Sequence, residues 1–306
     1  MKFLSLVAVL VLEQVWPLRQ DSPLLRAFDR YARFLEGQFD GGEFRHGVIA
    51  WVLAVAPVVA ATVAVHRLLH GMNPFAGLLW SIAVLYFTMG FRQFSHDFGE
   101  IQQALRAGDL AAARERLGRW RGESTADFSA GEVARVAIEQ GLLASHRHVF
   151  GTLAWFLAFG PAGAVLYRAA AVLANQWSAR AAQRSGEFGR FAGRALFWLD
   201  WVPVRLSAAG FGVVGDFEDA VYCWRTQAAA WEPHSHGILL AAGGGALGVR
   251  LGDTLHQYGS LHYRPALGIG EEADADSMTS AVGLVWRSLV LWMFVVLLVT
   301  IAHALG

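Results

Sequence analysis

The side chains able to do chemistry are few and sit in apolar surroundings. One such setting is Arg194 to Gly215, RALFWLDWVPVRLSAAGFGVVG, where Asp200 and Arg205 stand five residues apart with Pro203 between them. Charges inside a segment of bilayer length are costly, and they face a cavity, a partner or the interface. Proline frees a backbone carbonyl and bends a helix. This long, mostly apolar stretch is therefore expected to be a broken or surface-lying helix that holds polar groups at membrane depth. The competing reading is an amphipathic helix whose Asp200 and Arg205 simply pair.

Other groups invite the same weighing. His146-Arg147-His148 opens an apolar run and could bind an anion or serve as an interfacial anchor. His234-Ser235-His236 could ligate a metal only if a third ligand converged. Glu271, Glu272, Asp274 and Asp276 could hold Mg²⁺, or could form a solvated loop whose charge favours the N-terminus of the following helix. Gly243, Gly245 and Gly248 fit G-x-G-x-x-G, but their alanine-rich context suits close helix packing better than a dinucleotide loop. Glu13 and Glu139 are isolated acids beside apolar segments.

These groups need a frame, and composition indicates its kind. The chain has 306 residues, 55% hydrophobic and 16% charged, against about 25% charged in soluble domains. That marks an integral membrane protein. The 25 basic residues balance the 25 acidic ones, so no basic field points to nucleic acid. A single cysteine, Cys223, excludes an intrachain disulfide framework and a cysteine-based zinc site. Phe3 to Leu12 reads as a retained first helix, because Glu13 and Gln14 follow it without a cleavage pattern.

The expected fold is all-α: a polytopic integral-membrane helical bundle with a cytoplasmic helical segment, forming one domain over residues 1–306. Val48 to Leu69, with Pro57 inside, and Phe75 to Phe91 form a hairpin of spans about a short turn. Residues 92–147 form the cytoplasmic helical insertion, with Asp109 as an N-cap and Glu132 to Leu143 amphipathic. Val149 to Ala174, interrupted by Gly160-Pro161-Ala162-Gly163, is one kinked span or two half-helices. A basic linker runs from Arg180 to Arg194, residues 216–283 are a mixed loop and helix region, and Leu284 to Leu305 is the last span. Five arginines before the hairpin (Arg19, Arg26, Arg30, Arg33 and Arg45) and seven between 93 and 147 place both flanks in the cytoplasm.

The order of motifs resembles the CobD/CbiB family, membrane proteins that make adenosylcobinamide phosphate in cobalamin synthesis, and also AmpE, a relative linked to β-lactamase induction. The pieces are Gly108-Asp109-Leu110 with Ala113-Arg114; Val136 to Glu139; Gly160 to Ala164 with Tyr167-Arg168; Phe188-Gly189; Pro203 to Leu206; and Gly245 to Gly252. The family's Gly-Arg-Asp-Thr element reads here Gly122-Glu123-Ser124-Thr125. Its Ala-Glu-Asn and Asp-Gly positions after Glu139 read Leu142-Leu143-Ala144 and Arg147-His148. Its Asn-Thr-Leu-Asp reads Ala171 to Ala174, and its Asp-Asp reads Leu196-Phe197.

Condensing two large polyanionic or amide-bearing substrates should require metal-binding or acid-base carboxylates. Their replacement, with an AmpE-like Leu199 to Leu206, implies a non-catalytic, regulatory or ligand-binding protein of the bacterial inner membrane. It would hold an anionic small molecule at the cytoplasmic face through Glu139, Arg147, Arg168, Asp200, Arg205 and Arg250, with no cofactor, in the lipid bilayer, with a second copy of the chain as a candidate partner. The alternative is a divergent adenosylcobinamide-phosphate synthase using Asp97, Glu100, Glu123 or the acidic run, and only that reading has a place for Mg²⁺. A transporter of anionic cell-wall fragments is a third reading.

Overall fold

The computed structural model describes residues 2–16, 23–184 and 187–305, without the side chains at 23–25, 91–94, 178–184 and 304. Arg19 and Arg180 of the two expected basic linkers lie outside the described residues or side chains. The chain divides into two compact units, each assembled from two stretches: residues 1–93 with 147–201, and residues 94–146 with 202–306.

The first unit holds α1 (Lys2–Val15), α2 (Pro23–Phe39), α3 (Phe44–Met72), α4 (Pro74–Thr88), α8 (Gly151–Phe159), α9 (Pro161–Arg184) and the first half of α10 (Arg190–Val214). The hairpin of α3 and α4 turns on Asn73, whose side chain accepts from Phe75 N–H while Pro74 opens α4. Pro57 lies inside α3 without ending it. Small residues let helices approach: Ala32, Ala50, Ala54, Ala169 and Ala192 surround Trp177 and Phe188 in one buried cluster. The run from Val149 is two helices, because Gly160 takes φ 66 and Pro161 restarts the chain as α9.

The second unit holds α5 (Phe91–Arg106), α6 (Leu110–Arg121), α7 (Ala130–Ser145), the rest of α10, α11 (Phe217–Gln227), α12 (His234–Leu247) and α13 (Ala275–Leu305). Asp109 caps α6, accepting from Ala112 N–H at 2.9 Å, as expected. Asp274 caps α13, accepting from Ser277 N–H at 2.7 Å. That helix starts nine residues before the expected last span. The glycines of α12 serve packing, since a Cβ on Gly243 would strike Leu142 and one on Gly245 the backbone of Asp219.

One expectation needs correction. The stretch around Asp200 is one continuous helix, with Pro203 inside α10 and no break. The chain is all-α in class, as expected, and residues 249–272 add five short strands: β1 (Val249–Gly252), β2 (Leu255–Gln257), β3 (Ser260–His262), β4 (Ala266–Leu267) and β5 (Glu271–Glu272). β1 pairs antiparallel with β4 and parallel with β5, and β2 with β3 forms a hairpin. Tyr258 and Gly259 close that hairpin at φ 54 and 68, as a two-residue turn of this hand needs. The strands are two to four residues long, too short to show an alternating pattern.

Phe44–Met72 and Ala275–His303 are long and apolar enough to cross a membrane, and only 22% of each apolar window is buried. Pro74–Thr88 is a shorter apolar helix.

Candidate functional site

In the second unit, α7 carries Glu132, Arg135 and Glu139 at helical spacing, on one face. Ser129 fixes where that helix begins through a capping box with Glu132. The segment that follows α12 lies against this face. Gly248, at φ 66, ends the helix and turns the chain into β1. Thus the Gly245 to Gly252 motif is the joint that brings a strand to α7.

Glu139 is the anchor of that contact. Its carboxylate accepts Gly252 N–H at 2.8 Å and both prongs of Arg264, at 2.7 and 3.1 Å. Arg264 also donates to the carbonyls of Gly252 and Asp253, at 2.9 and 3.1 Å, and its guanidinium stacks over Trp231. A planar fork suits this saturated role better than a point charge. Arg135 donates to Thr254 O at 2.6 Å and stands 3.7 Å from the Asp253 carboxylate. Burial lowers the Arg135 pKa from its ordinary value, with Glu139 opposing that shift.

Glu132 is held differently. Burial alone would raise its carboxyl, but hydrogen bonds from Ser129 and from the His256 ring and backbone outweigh it and hold the pKa at about 2. His256 Nδ1 and N–H both lie 2.9 Å from one carboxylate oxygen. The clamped stretch between them contains Asp253 at φ 63, a conformation uncommon outside glycine.

A cleft of about 160 Å³ opens here, lined by Glu132, Arg135, Arg250, Asp253 and Glu272 among others. Asp253 has spare acceptor capacity, since one oxygen takes Thr254 N–H at 2.7 Å and the other only the distant Arg135, and exposed Glu272 stands at the same cleft. Arg250 is exposed, with a single weak bond to Gly270 O at 3.4 Å. The cleft therefore offers a cation and a carboxylate at its mouth on a rigid floor.

The expected ligand residues fall into two groups. Glu139 and Arg250 belong to this cleft's surroundings. Arg147, Arg168 and Asp200 belong to the first unit, where Arg168 meets His148 at 2.9 Å and Asp200 accepts the Tyr167 hydroxyl at 2.7 Å. Arg205 lies on the second-unit half of α10. Arg135, Asp253, His256 and Arg264 were missed from the sequence. Only the spacing of Glu132, Arg135 and Glu139 on one helix face could have signalled part of this set.

The alternative acids are dispersed. Glu100 pairs with Arg116, Glu123 with Arg121 and Asp276 with Arg106, while Glu271 and Glu272 lie in β5. Among the described residues no three His, Cys, Asp or Glu side chains gather as a metal-binding group. The retained parts of the Gly122 to Thr125 element are structural. Gly122 ends α6 at φ 74, and the buried Thr125 hydroxyl donates to Arg114 O at 2.6 Å.

A family model described as CobD/Cbib protein matches residues 15–285. The chain belongs to the CobD/CbiB family. It is 37% identical over 299 residues to the "Cobalamin biosynthesis protein CobD" of Stutzerimonas stutzeri, covering 96% of this chain and 97% of that one. It is 37% identical over 246 residues to the CobD of Chromobacterium violaceum, covering 80% and 77%. Against the "Cobalamin biosynthesis protein CbiB" of Salmonella typhimurium, identity is 24% over 252 residues, covering 78% and 77%. No solved structure matches.

These relatives overturn the reading of this CobD/CbiB member as a non-catalytic AmpE-type regulator. That reading equated missing motif acids with a missing site. In this family member several motif residues punctuate helices, as Gly122 and Gly160 do, and the acids of the cleft lie outside the motifs.

Proposed function

We propose that this chain is a multi-pass membrane synthase of cobalamin biosynthesis, joining a corrinoid carboxyl group to an aminoalcohol phosphate to make a cobinamide phosphate. The observation that carries this is 37% identity along nearly the whole of both chains with a CobD protein. The α3 and α4 hairpin and α13 would lie in the bilayer, with the second-unit cleft at the cytoplasmic face.

The protein's own residues have two tasks in such a reaction. An anionic partner has to be held, and exposed Arg250 at the cleft mouth suits a phosphate. The incoming ammonium has to lose protons before its nitrogen can attack the corrinoid carboxyl carbon, which a nucleoside triphosphate would first activate as an acyl phosphate, so that phosphate leaves as the C–N bond forms. Asp253, held on the clamped stretch beside Arg135, is a cleft acid with a lone pair to accept one of those protons. Glu132 and Glu139, saturated by hydrogen bonds, hold the floor that positions it.

Complementation tests this in a bacterium lacking its own CobD. The wild-type gene should restore corrinoid synthesis, and Asp253→Asn should not, at equal membrane abundance. Failure of the wild-type gene in a strain rescued by the Stutzerimonas gene would sink the proposal.

A further inference from the structure

A second cationic site lies wholly inside the first unit. The helix that continues from α7 widens into a π-turn at His146–Phe150, a feature that recurs at functional sites. The turn presents Arg147 and His148 beside Arg168 of α9. Arg168 Nη1 lies 2.9 Å from His148 Nδ1. A guanidinium only donates, so that imidazole nitrogen accepts and contributes no negative charge. Arg147 reaches just the Asn175 amide oxygen, at 3.4 Å.

The acids nearby are otherwise engaged. Asp29 accepts from Gln176 at 2.7 Å and Asp200 from the Tyr167 hydroxyl at 2.7 Å. Neither arginine forms an ion pair among the described residues. Buried polar atoms around them also lack partners: Arg168 Nε, Thr152 Oγ1 one turn beyond His148, and Gln176 Oε1. Buried polar groups are ordinarily satisfied, and a set left open together asks for a polar occupant. Two guanidinium groups without a direct ion pair specify its charge.

We propose that Arg147 and Arg168, flanking His148, form a phosphate-binding site. The ligand is a phosphate mono- or diester, from a soluble phosphorylated substrate or from a lipid headgroup. The claim concerns binding alone, so it stands or falls whether or not the chain makes an amide.

The test uses the full chain in phosphatidylcholine nanodiscs, titrated with inorganic phosphate and with phosphoethanolamine. A parallel set of discs contains phosphatidylglycerol, with thermal stability as the readout. Saturable binding in the neutral discs, weakened roughly tenfold in Arg147→Gln and Arg168→Gln and recovered in part by Arg168→Lys, assigns the site to a soluble phosphate. A rise in melting temperature confined to the anionic discs, and lost in the same variants, assigns it to lipid. Arg147 is a surface residue with one long bond, so its variant reports even should Arg168→Gln not fold. No response to any probe, or a response that both glutamine variants keep, overturns the site.

Discussion

Glu139 and Arg264 are 125 residues apart in the chain and meet in a two-pronged ion pair, at 2.7 and 3.1 Å. Their side chains are 5% and 19% exposed. Removing one partner strands a buried charge, which costs about 3 to 5 kcal/mol. Glu139→Ala should therefore destabilise the protein by about 3 kcal/mol, read by denaturant unfolding in detergent. Replacing both residues with methionine should recover much of that loss. A double variant as unstable as the sum of the singles would show that the pair is not coupled.

Glu132 should make the second unit acid-labile in a defined window. Its folded pKa, held at about 2, lies below the ordinary 4.5. The stabilisation is thus complete above about pH 4.5 and lost as pH falls toward 2, on the order of 3 kcal/mol in total. Glu132→Gln should flatten the stability profile across that range. An unchanged profile would mean the Ser129 and His256 hydrogen bonds do not favour the ionised form.

Gly252 should tolerate no side chain. It sits at φ 69, and a Cβ there would run into Pro265 O. Gly252→Ala should cost about 2 kcal/mol or more, because strain adds to the disturbed Glu139 bond. A near-neutral melting temperature would place the backbone of β1 elsewhere.

Much of the helical frame is legible in the sequence. Apolar length gives α3, α4 and most of α13, Asp109 announces the start of α6, and Gly160-Pro161 marks a kink or break, because each rests on local chemistry. The cleft is not legible, because it depends on long-range pairing. Arg264 lies in an unremarkable loop, and nothing near it in sequence points to Glu139. Asp253 gains interest only from a backbone conformation that the fold imposes. Pro203 misled for a related reason: neighbours in α10 keep the helix continuous where local rules expect a kink. Reading Arg147-His148 as the loss of an Asp-Gly pair looked to what was absent, not to what the new side chains touch.

Asp253 separates architecture from chemistry. Asp253→Asn should keep the fold, because the clamp by Arg264 and Arg135 acts on backbone carbonyls, yet slow amide formation by at least roughly a hundredfold. Asp253→Gly, free of the left-handed strain, should melt no lower than the wild type and be equally slow. Wild-type turnover in either variant would remove Asp253 from the reaction.

The most direct measurement is product formation by the purified chain in nanodiscs, supplied with a cobyric acid derivative, aminopropanol phosphate and cell extract depleted of endogenous CobD. Mass spectrometry should find the cobinamide phosphate amide with the wild-type protein and not in its absence. Folded protein that yields no amide, beside a Stutzerimonas CobD that does under the same conditions, would contradict the account.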